Sequence, residues 1–274
     1  MNLHNSTPVT RVVVETLDLG INRGQQLNAT LFRPEGATMA PLVIAASGGG
    51  WRRGHRSNLD QWGQYFAEHG IAFASIDYRR CNNGPCFPDN ASDIAHCVQT
   101  LRQVGAQYGV DTSRIALLGT SAGAHLTALA LFSDALQDTK LKAYVGIYGV
   151  YDLHRHWRTD LAKFQNRADN LTENMIGCGP FDNPDIYHSA SPLRQIRSNR
   201  ALPVFLSWGG LDDAIAPDQS ADFARALQQA GFNVRTRIFA EAGHFWFSDN
   251  DLSQQTSFAA QLAPDLLKFL ERHL

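Results

Sequence analysis

One serine stands at the junction between an apolar, strand-forming run and a helix-forming run. Ser121 is the centre of Gly119-Thr-Ser-Ala-Gly123, which follows Ile115 to Leu118 and leads into Ala124 to Phe132. A strand–turn–helix elbow of this kind strains its central residue and accepts only small neighbours, as the two glycines are. We therefore predict that Ser121 is exposed at the carboxyl end of a sheet as a nucleophile, with the Ala122 N–H beside a developing oxyanion. The alternative is a glycine-rich turn with an incidental serine.

A serine nucleophile needs a base and a carboxylate, and both have candidates in loops that follow predicted strands. His244 follows one strand-forming run, and the neighbours Asp212 and Asp213 follow another. Loops after parallel strands meet at one edge of a sheet, and the chain order Ser, Asp, His is that of α/β-hydrolases. We favour Asp212 as the acid from its spacing after Gly209, and Asp213 stays open.

A run of three glycines forms a second candidate site, built from backbone alone. Gly48, Gly49 and Gly50 lie between a predicted strand and a predicted helix. Without side chains, their backbone can approach a carbonyl oxygen closely and donate N–H groups to it. Trp51 after this loop and Trp246 after His244 are candidate walls of a substrate pocket, although core packing explains either indole as well.

Apolar periodicity predicts about eight strands, most of which alternate with helices. The predicted strands cover residues 11–19, 26–33, 41–46, 71–76, 115–118, 143–148, 203–208 and 234–239, and the helices cover 59–69, 91–108, 124–132, 217–230 and 257–272. The first two strands suit an antiparallel hairpin, and Pro264 is expected to break or restart the last helix. Alternation of this kind predicts an α/β class with a mostly parallel sheet and helices on both faces.

Residues 1–274 are predicted to form a single domain, because no linker, low-complexity tract or repeat interrupts them. The segment at about 152–200 is too long for an ordinary connection of about 2 to 6 residues. Its histidines and scattered apolar residues argue against simple disorder. We predict a small, partly helical cap over Ser121, with Trp157 or Phe164 reaching toward an acyl or alcohol pocket.

Composition restricts the partners. A formal charge of −2 with both signs interspersed gives no electrostatic case for nucleic acid, and no run of about 18 apolar residues predicts a membrane span. The polar start predicts no signal peptide in this form, so a cytoplasmic location is favoured, with secretion open if a signal was removed. Cys81 and Cys86 bracket a turn; free thiols are favoured and a small disulfide loop stays open.

A metal or cofactor is not predicted from these residues. His154 and His156 make a poor metal pair without a neighbouring cluster of acidic or cysteine ligands. The oligomeric state stays open, a homodimer being one option.

Several motifs together carry a family resemblance from about Leu42 to the end of the chain. They are Gly-Gly-Gly-Trp with Gly54, Asp77-Tyr-Arg, Phe87-Pro with Asp93, Gly119-Thr-Ser-Ala-Gly with His125-Leu, Ser191-Pro-Leu and Gly243-His. With them the chain resembles α/β-hydrolase carboxylesterases, most of all the group of bacterial feruloyl and acetylxylan esterases (BD-FAE-like). It is also similar to hormone-sensitive-lipase-like esterases and to kynurenine formamidases.

The resemblance implies a serine hydrolase that cleaves small-molecule carboxylic esters through an acyl-enzyme, without a cofactor. It assigns a catalytic triad of Ser121, His244 and Asp212, and oxyanion N–H groups at Gly49, Gly50 and Ala122. An amide or formamide hydrolase and a catalytically silent ligand-binding relative are the alternatives. The chain departs from the family pattern at Ser47, where a histidine is usual, and at Ala124, where a glycine is usual.

Overall fold

A computed structural model describes residues 11–163 and 166–274, and its centre is an eight-stranded sheet. The strands are β1 (Val12–Asn22), β2 (Gln25–Pro34), β3 (Ala40–Ala46), β4 (Ala72–Ile76), β5 (Val110–Thr120), β6 (Ala143–Ile147), β7 (Pro203–Gly209) and β8 (Asn233–Phe239). Their order across the sheet is β1-β2-β4-β3-β5-β6-β7-β8. β2 pairs antiparallel with β1 and β4, whereas every pair from β4 across to β8 is parallel. The predicted α/β class and mostly parallel sheet are confirmed.

Helices follow most of the parallel strands. They are α1 (Asp60–Glu68), α2 (Asp89–Val104), α3 (Ala122–Phe132), α4 (Leu153–Lys163), α5 (Leu171–Ile176), α6 (Pro184–Ser189), α7 (Asp218–Gln229), α8 (Trp246–Asp249) and α9 (Phe258–His273). Every residue of β4 and β6 is buried, which means that both faces of the sheet are covered. This double burial explains why these strands are continuous apolar runs rather than alternating ones.

The register of the parallel strands brings their carboxyl ends to one level. Ala46 at the end of β3 pairs with Gly119 in β5, and Gly209 at the end of β7 pairs with Phe239 at the end of β8. The glycine loop, Ser121, Asp212 and His244 each follow one of these four ends. One edge of the sheet therefore carries all the candidate residues, as expected for open α/β sheets.

Pro264 lies inside α9, which runs without a break from Phe258 to His273. The prediction that Pro264 breaks or restarts this helix is wrong. A proline in a helix interior costs about 3 kcal/mol. However, α9 buries Leu262, Leu266 and Leu270 completely, and each such side chain contributes about 1.5–3 kcal/mol. Packing of the apolar face outweighs the lost hydrogen bond.

Cys81 and Cys86 form a disulfide with their Cα atoms 5.1 Å apart. The sequence analysis favoured free thiols at these two positions, and that prediction is wrong. The structure has the alternative, a small disulfide loop. Cys97 and Cys178 are free. Within the part of the chain that the structure describes, no helix has the length and apolar character needed to cross a bilayer.

Candidate active site

Ser121 lies at a strained turn between β5 and α3, with φ 52° and ψ −121°. A positive φ is rare for a residue with a side chain and costs on the order of 1–3 kcal/mol. The two flanking glycines are required by space: a Cβ on Gly119 would lie 2.5 Å from the Ala124 Cα, and a Cβ on Gly123 would lie 2.7 Å from the Ser47 oxygen. The Ser121 amide donates to the Ile147 carbonyl over 2.9 Å, which fixes the turn on the end of β6.

A continuous chain of hydrogen bonds joins the three residues that the sequence singled out. His244 Nε2 is 3.0 Å from Ser121 Oγ, and His244 Nδ1 is 2.7 Å from Asp212 Oδ2. All three residues are buried, with at most 9% of their surface exposed. The prediction that Ser121 is exposed at the end of the sheet is therefore wrong, because the neighbouring glycine loop packs against it. Burial keeps water from competing for these hydrogen bonds and strengthens their electrostatics.

The choice between the two aspartates is visible in their contacts. Asp212 Oδ1 accepts hydrogen bonds from the amides of Ala214 and Ile215, at 3.0 and 2.8 Å, while Oδ2 faces His244. Asp213 is exposed, and its carbonyl oxygen accepts a hydrogen bond from Lys163. The structure thus brings Asp212, and not Asp213, to the imidazole.

The glycine loop lies directly over Ser121. A Cβ on Gly48 would be 2.9 Å from the Ser121 Cβ, and the Gly48 amide donates to Thr120 Oγ1 over 2.8 Å. Gly49 and Gly50 both have positive φ, 125° and 56°, conformations that glycine adopts without steric cost. Their amides donate no hydrogen bond to any residue within 11–163 or 166–274. Gly49 and Gly50 directly follow Gly48, and Ala122, the first residue of α3, directly follows Ser121, so these three amides are candidate donors near the serine.

Trp51 fixes the end of the glycine loop through a buried histidine. Trp51 is 1% exposed with φ 59°, and its Nε1 donates to His125 Nδ1 over 3.0 Å. His125 Nε2 in turn faces the Ala190 carbonyl at 2.8 Å. Burial lowers the pKa of His125 to about 4, so the ring is neutral and can accept from Trp51 while donating to Ala190. Sequence reasoning had quoted His125 within a motif but gave it no role.

Comparison with known proteins shows the family of this chain. A family model described as BD-FAE matches residues 30–227, which is most of the chain. The chain belongs to the BD-FAE family. Among curated relatives it is similar to Esterase LipQ of Mycobacterium tuberculosis, at 32% identity over 256 residues, covering 83% of this chain and 56% of that protein. It is also similar to the probable isoprenylcysteine alpha-carbonyl methylesterase ICMEL2 of Arabidopsis thaliana, at 29% identity, covering 77% and 52%. The chain spans about half the length of these relatives.

Solved structures of proteins with low sequence identity to this chain share its fold. A bacterial heroin esterase superimposes with a TM-score of 0.79 at 23% identity, covering 96% of this chain and 84% of that one. Carboxyl esterase 2 of the fungus Tuber melanosporum gives 0.79 at 20% identity, with coverages of 98% and 90%. The BD-FAE member described here therefore has the α/β-hydrolase fold.

The segment 152–200 packs against the glycine loop and the acid loop. A Cβ on Gly50 would lie 3.1 Å from Leu171 Cδ1, and the His156 ring lies 6.0 Å from the Trp51 ring. Lys163 donates to the carbonyls of Asp213 and Ala214. Trp157 packs within the segment itself, where its Nε1 donates to Glu173 over 3.0 Å. Phe164, the other residue predicted to reach the pocket, lies outside the described residues.

The two predicted pocket tryptophans are both buried. Trp51 packs between His125 and His156, and Trp246 is 4% exposed with its ring against Tyr148. Tyr148, which sequence reasoning missed, has φ 37° and lies 4.5 Å from the His244 ring between centroids. Its signal in the sequence is its position just after β6, the strand next to β5. Substrate contact by either indole stays a prediction.

The two histidines considered as a metal pair lie in different surroundings. His154 is exposed and stacks on Trp157, whereas His156 is buried against Trp51. Among the residues with described positions, no three His, Cys, Asp or Glu side chains converge on a point that could hold a metal ion.

Proposed function

We propose that this chain is a carboxylic ester hydrolase in which Ser121, His244 and Asp212 act as a catalytic triad. The observation that carries the proposal is the unbroken hydrogen-bond chain from Asp212 Oδ2 through the imidazole to Ser121 Oγ, with distances of 2.7 and 3.0 Å. The two relatives, an esterase and a probable methylesterase, support ester cleavage as the reaction. Nothing in the site favours amides or formamides over esters.

The reaction follows from the roles that these positions allow. Asp212 accepts a hydrogen bond from the Nδ1–H of His244 and so leaves the Nε2 lone pair facing the serine. Ser121 Oγ attacks the ester carbonyl while its proton passes to Nε2, and the resulting imidazolium protonates the departing alcohol. Water then attacks the acyl-enzyme with the same histidine as base, which releases the carboxylic acid and regenerates Ser121.

The oxyanion formed in both steps needs donors that are already in place. We assign this role to the amides of Gly49, Gly50 and Ala122. Ala122 directly follows Ser121, the two glycines directly follow Gly48, which packs against Ser121, and the two glycine amides have no other described partner. Preorganised donors of this kind are typically worth a factor of about 10²–10³ each in kcat. Because the donors are backbone amides, the serine at position 47 does not remove them.

We also propose that residues 152–200 form a cap on a single α/β-hydrolase domain. Leu171 and His156 lie against Gly50 and Trp51, the two residues that end the glycine loop. A wall at this position bounds the space above Ser121 that an acyl or alcohol group would occupy. Trp51 and Trp246 would then act as the inner, buried part of that wall.

The proposed function is tested by labelling and kinetics on short 4-nitrophenyl esters. A fluorophosphonate should label Ser121 stoichiometrically, and Ser121→Ala should lose on the order of 10⁴-fold or more in kcat. Ser198→Ala, at an exposed serine, should retain wild-type turnover as a matched control. Labelling at another serine would overturn the assignment. Faster cleavage of matched anilides than of esters would transfer the function to amides, and ligand binding without turnover would make the chain a silent relative.

A further inference from the structure

His156 is a buried polar side chain that the proposed mechanism does not use. It lies on α4 with 5% of its surface exposed, and its Nδ1 has no hydrogen-bond partner among the described residues. A buried polar atom left unpaired costs on the order of 1–3 kcal/mol, and such atoms are rare in folded proteins. The position of this atom therefore needs an explanation.

The ring lies beside the glycine loop, on the side of helix α4. Its centroid is 6.0 Å from that of Trp51, the residue directly after the two glycines with free amides. It is also close enough to His244 and Asp212 to interact with both electrostatically. The imidazole thus lies on the cap side of the space between the glycine loop and the triad.

The surroundings of the second ring nitrogen determine what Nδ1 can do. Nε2 is 3.8 Å from Asp160 Oδ2, within ion-pair range but longer than a hydrogen bond, and the same oxygen accepts a hydrogen bond from Thr172 Oγ1 over 3.4 Å. A carboxylate on that side favours the tautomer with the proton on Nε2. Burial, with the nearby charge of Lys163, lowers the pKa of His156 to about 3, so the ring is neutral. Nδ1 then carries a lone pair and can accept a hydrogen bond, but no donor among the described residues reaches it.

We propose that His156 is a specificity-determining residue whose Nδ1 accepts a hydrogen bond from a hydroxyl or N–H group on the ester substrate. The site would accordingly prefer esters that carry such a donor a few bonds from the scissile carbonyl over esters with a methyl group in its place. A site built around an acceptor rejects the analogue without the donor because the acceptor is then left unpaired. This inference rests on the proposed ester hydrolysis at Ser121.

The test uses pairs of esters that differ only by a methyl and a hydroxyl group. For the acyl side the pair is 4-nitrophenyl butanoate and 4-nitrophenyl 3-hydroxypropanoate; for the alcohol side it is butyl acetate and 3-hydroxypropyl acetate. The measured quantity is the ratio of kcat/KM for the hydroxylated ester to that for its partner. His156→Phe should lower this ratio about tenfold on at least one pair, the order expected for one hydrogen bond. His154→Phe, at the exposed histidine of the same helix, should leave both ratios unchanged.

Two further variants keep the test decisive if His156→Phe does not fold. His156→Asn places a polar atom near the position of Nδ1 and should keep part of the ratio, whereas His156→Gln extends toward Nε2 and should lose it. The inference would be overturned if the kcat/KM ratio of hydroxylated to methyl ester were the same in the wild type, His156→Asn and His156→Gln for both pairs of esters. The hydrogen-bond partner of Nδ1 would then be an ordered water. Fluorophosphonate labelling of Ser121 distinguishes failure of this inference from failure of the proposed function, because an unlabelled wild-type Ser121 would refute the proposed function itself.

Discussion

Acidification should destabilise this protein through His125, because the folded protein buries this imidazole ring in its neutral form. The side chain is completely buried, and burial lowers its pKa from 6.5 to about 4, only partly opposed by the hydrogen bond to Ala190. A histidine with a depressed folded pKa contributes stability that is present above the unfolded pKa and is lost as the pH falls through it. The affected window therefore runs from about pH 6.5 down to about pH 4.

The size of the effect follows from the two pKa values. Between pH 7 and pH 5 the unfolded histidine becomes almost fully protonated while the folded one stays neutral, which removes about 2 kcal/mol from the free energy of unfolding. Asp160 acts in the opposite direction, because burial raises the pKa of this carboxyl to about 6. His156, whose pKa burial lowers to about 3, acts in the same direction as His125. A single pH profile would mix these three groups, and comparison with a variant isolates His125.

The assay is urea unfolding at pH 7 and pH 5, followed by tryptophan fluorescence, for the wild type and His125→Phe. The variant should be less stable at pH 7, since Trp51 Nε1 and the Ala190 carbonyl lose their partner. Between pH 7 and pH 5, however, its free energy of unfolding should fall by about 2 kcal/mol less than that of the wild type. His188→Phe, at a histidine exposed to solvent, should follow the wild type. Equal pH dependence in the wild type and His125→Phe would refute the argument that burial holds this ring neutral.

Three further predictions concern the acid, the elbow and the cap. Asp212→Asn should lower kcat by several orders of magnitude by leaving the imidazole in the wrong tautomer, while Asp213→Asn should have a far smaller effect; the reverse ranking would move the role to Asp213. Gly123→Ala should destabilise the fold and abolish labelling of Ser121, because the added methyl meets the carbonyls of Ala46 and Ser47; a thermally stable, active variant would contradict the close packing. Replacing residues 161–177 with a Gly/Ser linker should broaden the range of ester sizes accepted, and an unchanged chain-length profile would show that the segment does not select substrate.

Much of the fold, and the meeting of the three residues of the proposed triad, could be predicted because the signals are local. Apolar runs mark the buried strands, and the rule that parallel strands end at one edge then gathers Ser121, Asp212 and His244 without any knowledge of their packing. The contacts that support them are not local. Trp51 and His125 are 74 residues apart, and the burial of His156 against Trp51 depends on how the cap folds back. Pro264 was misjudged for the same reason, since helix propensity is local whereas the packing that overrides it is not.

The disulfide turn at Cys81–Cys86 is hydrogen-bonded both to the end of the glycine loop and to the proposed cap. The Cys81 amide donates to the Trp51 carbonyl over 3.0 Å, and the Cys86 amide donates to the Met175 carbonyl over 3.0 Å. Neither sulfur has a part in the proposed chemistry, yet the turn that they close connects the end of the glycine loop to α5 of the cap. A thiol reductant in a purification buffer would therefore release a constraint on the oxyanion donors and on the cap at once. Rates measured with and without dithiothreitol would belong to two different forms of the protein, and substrate profiles should be compared only within one of them.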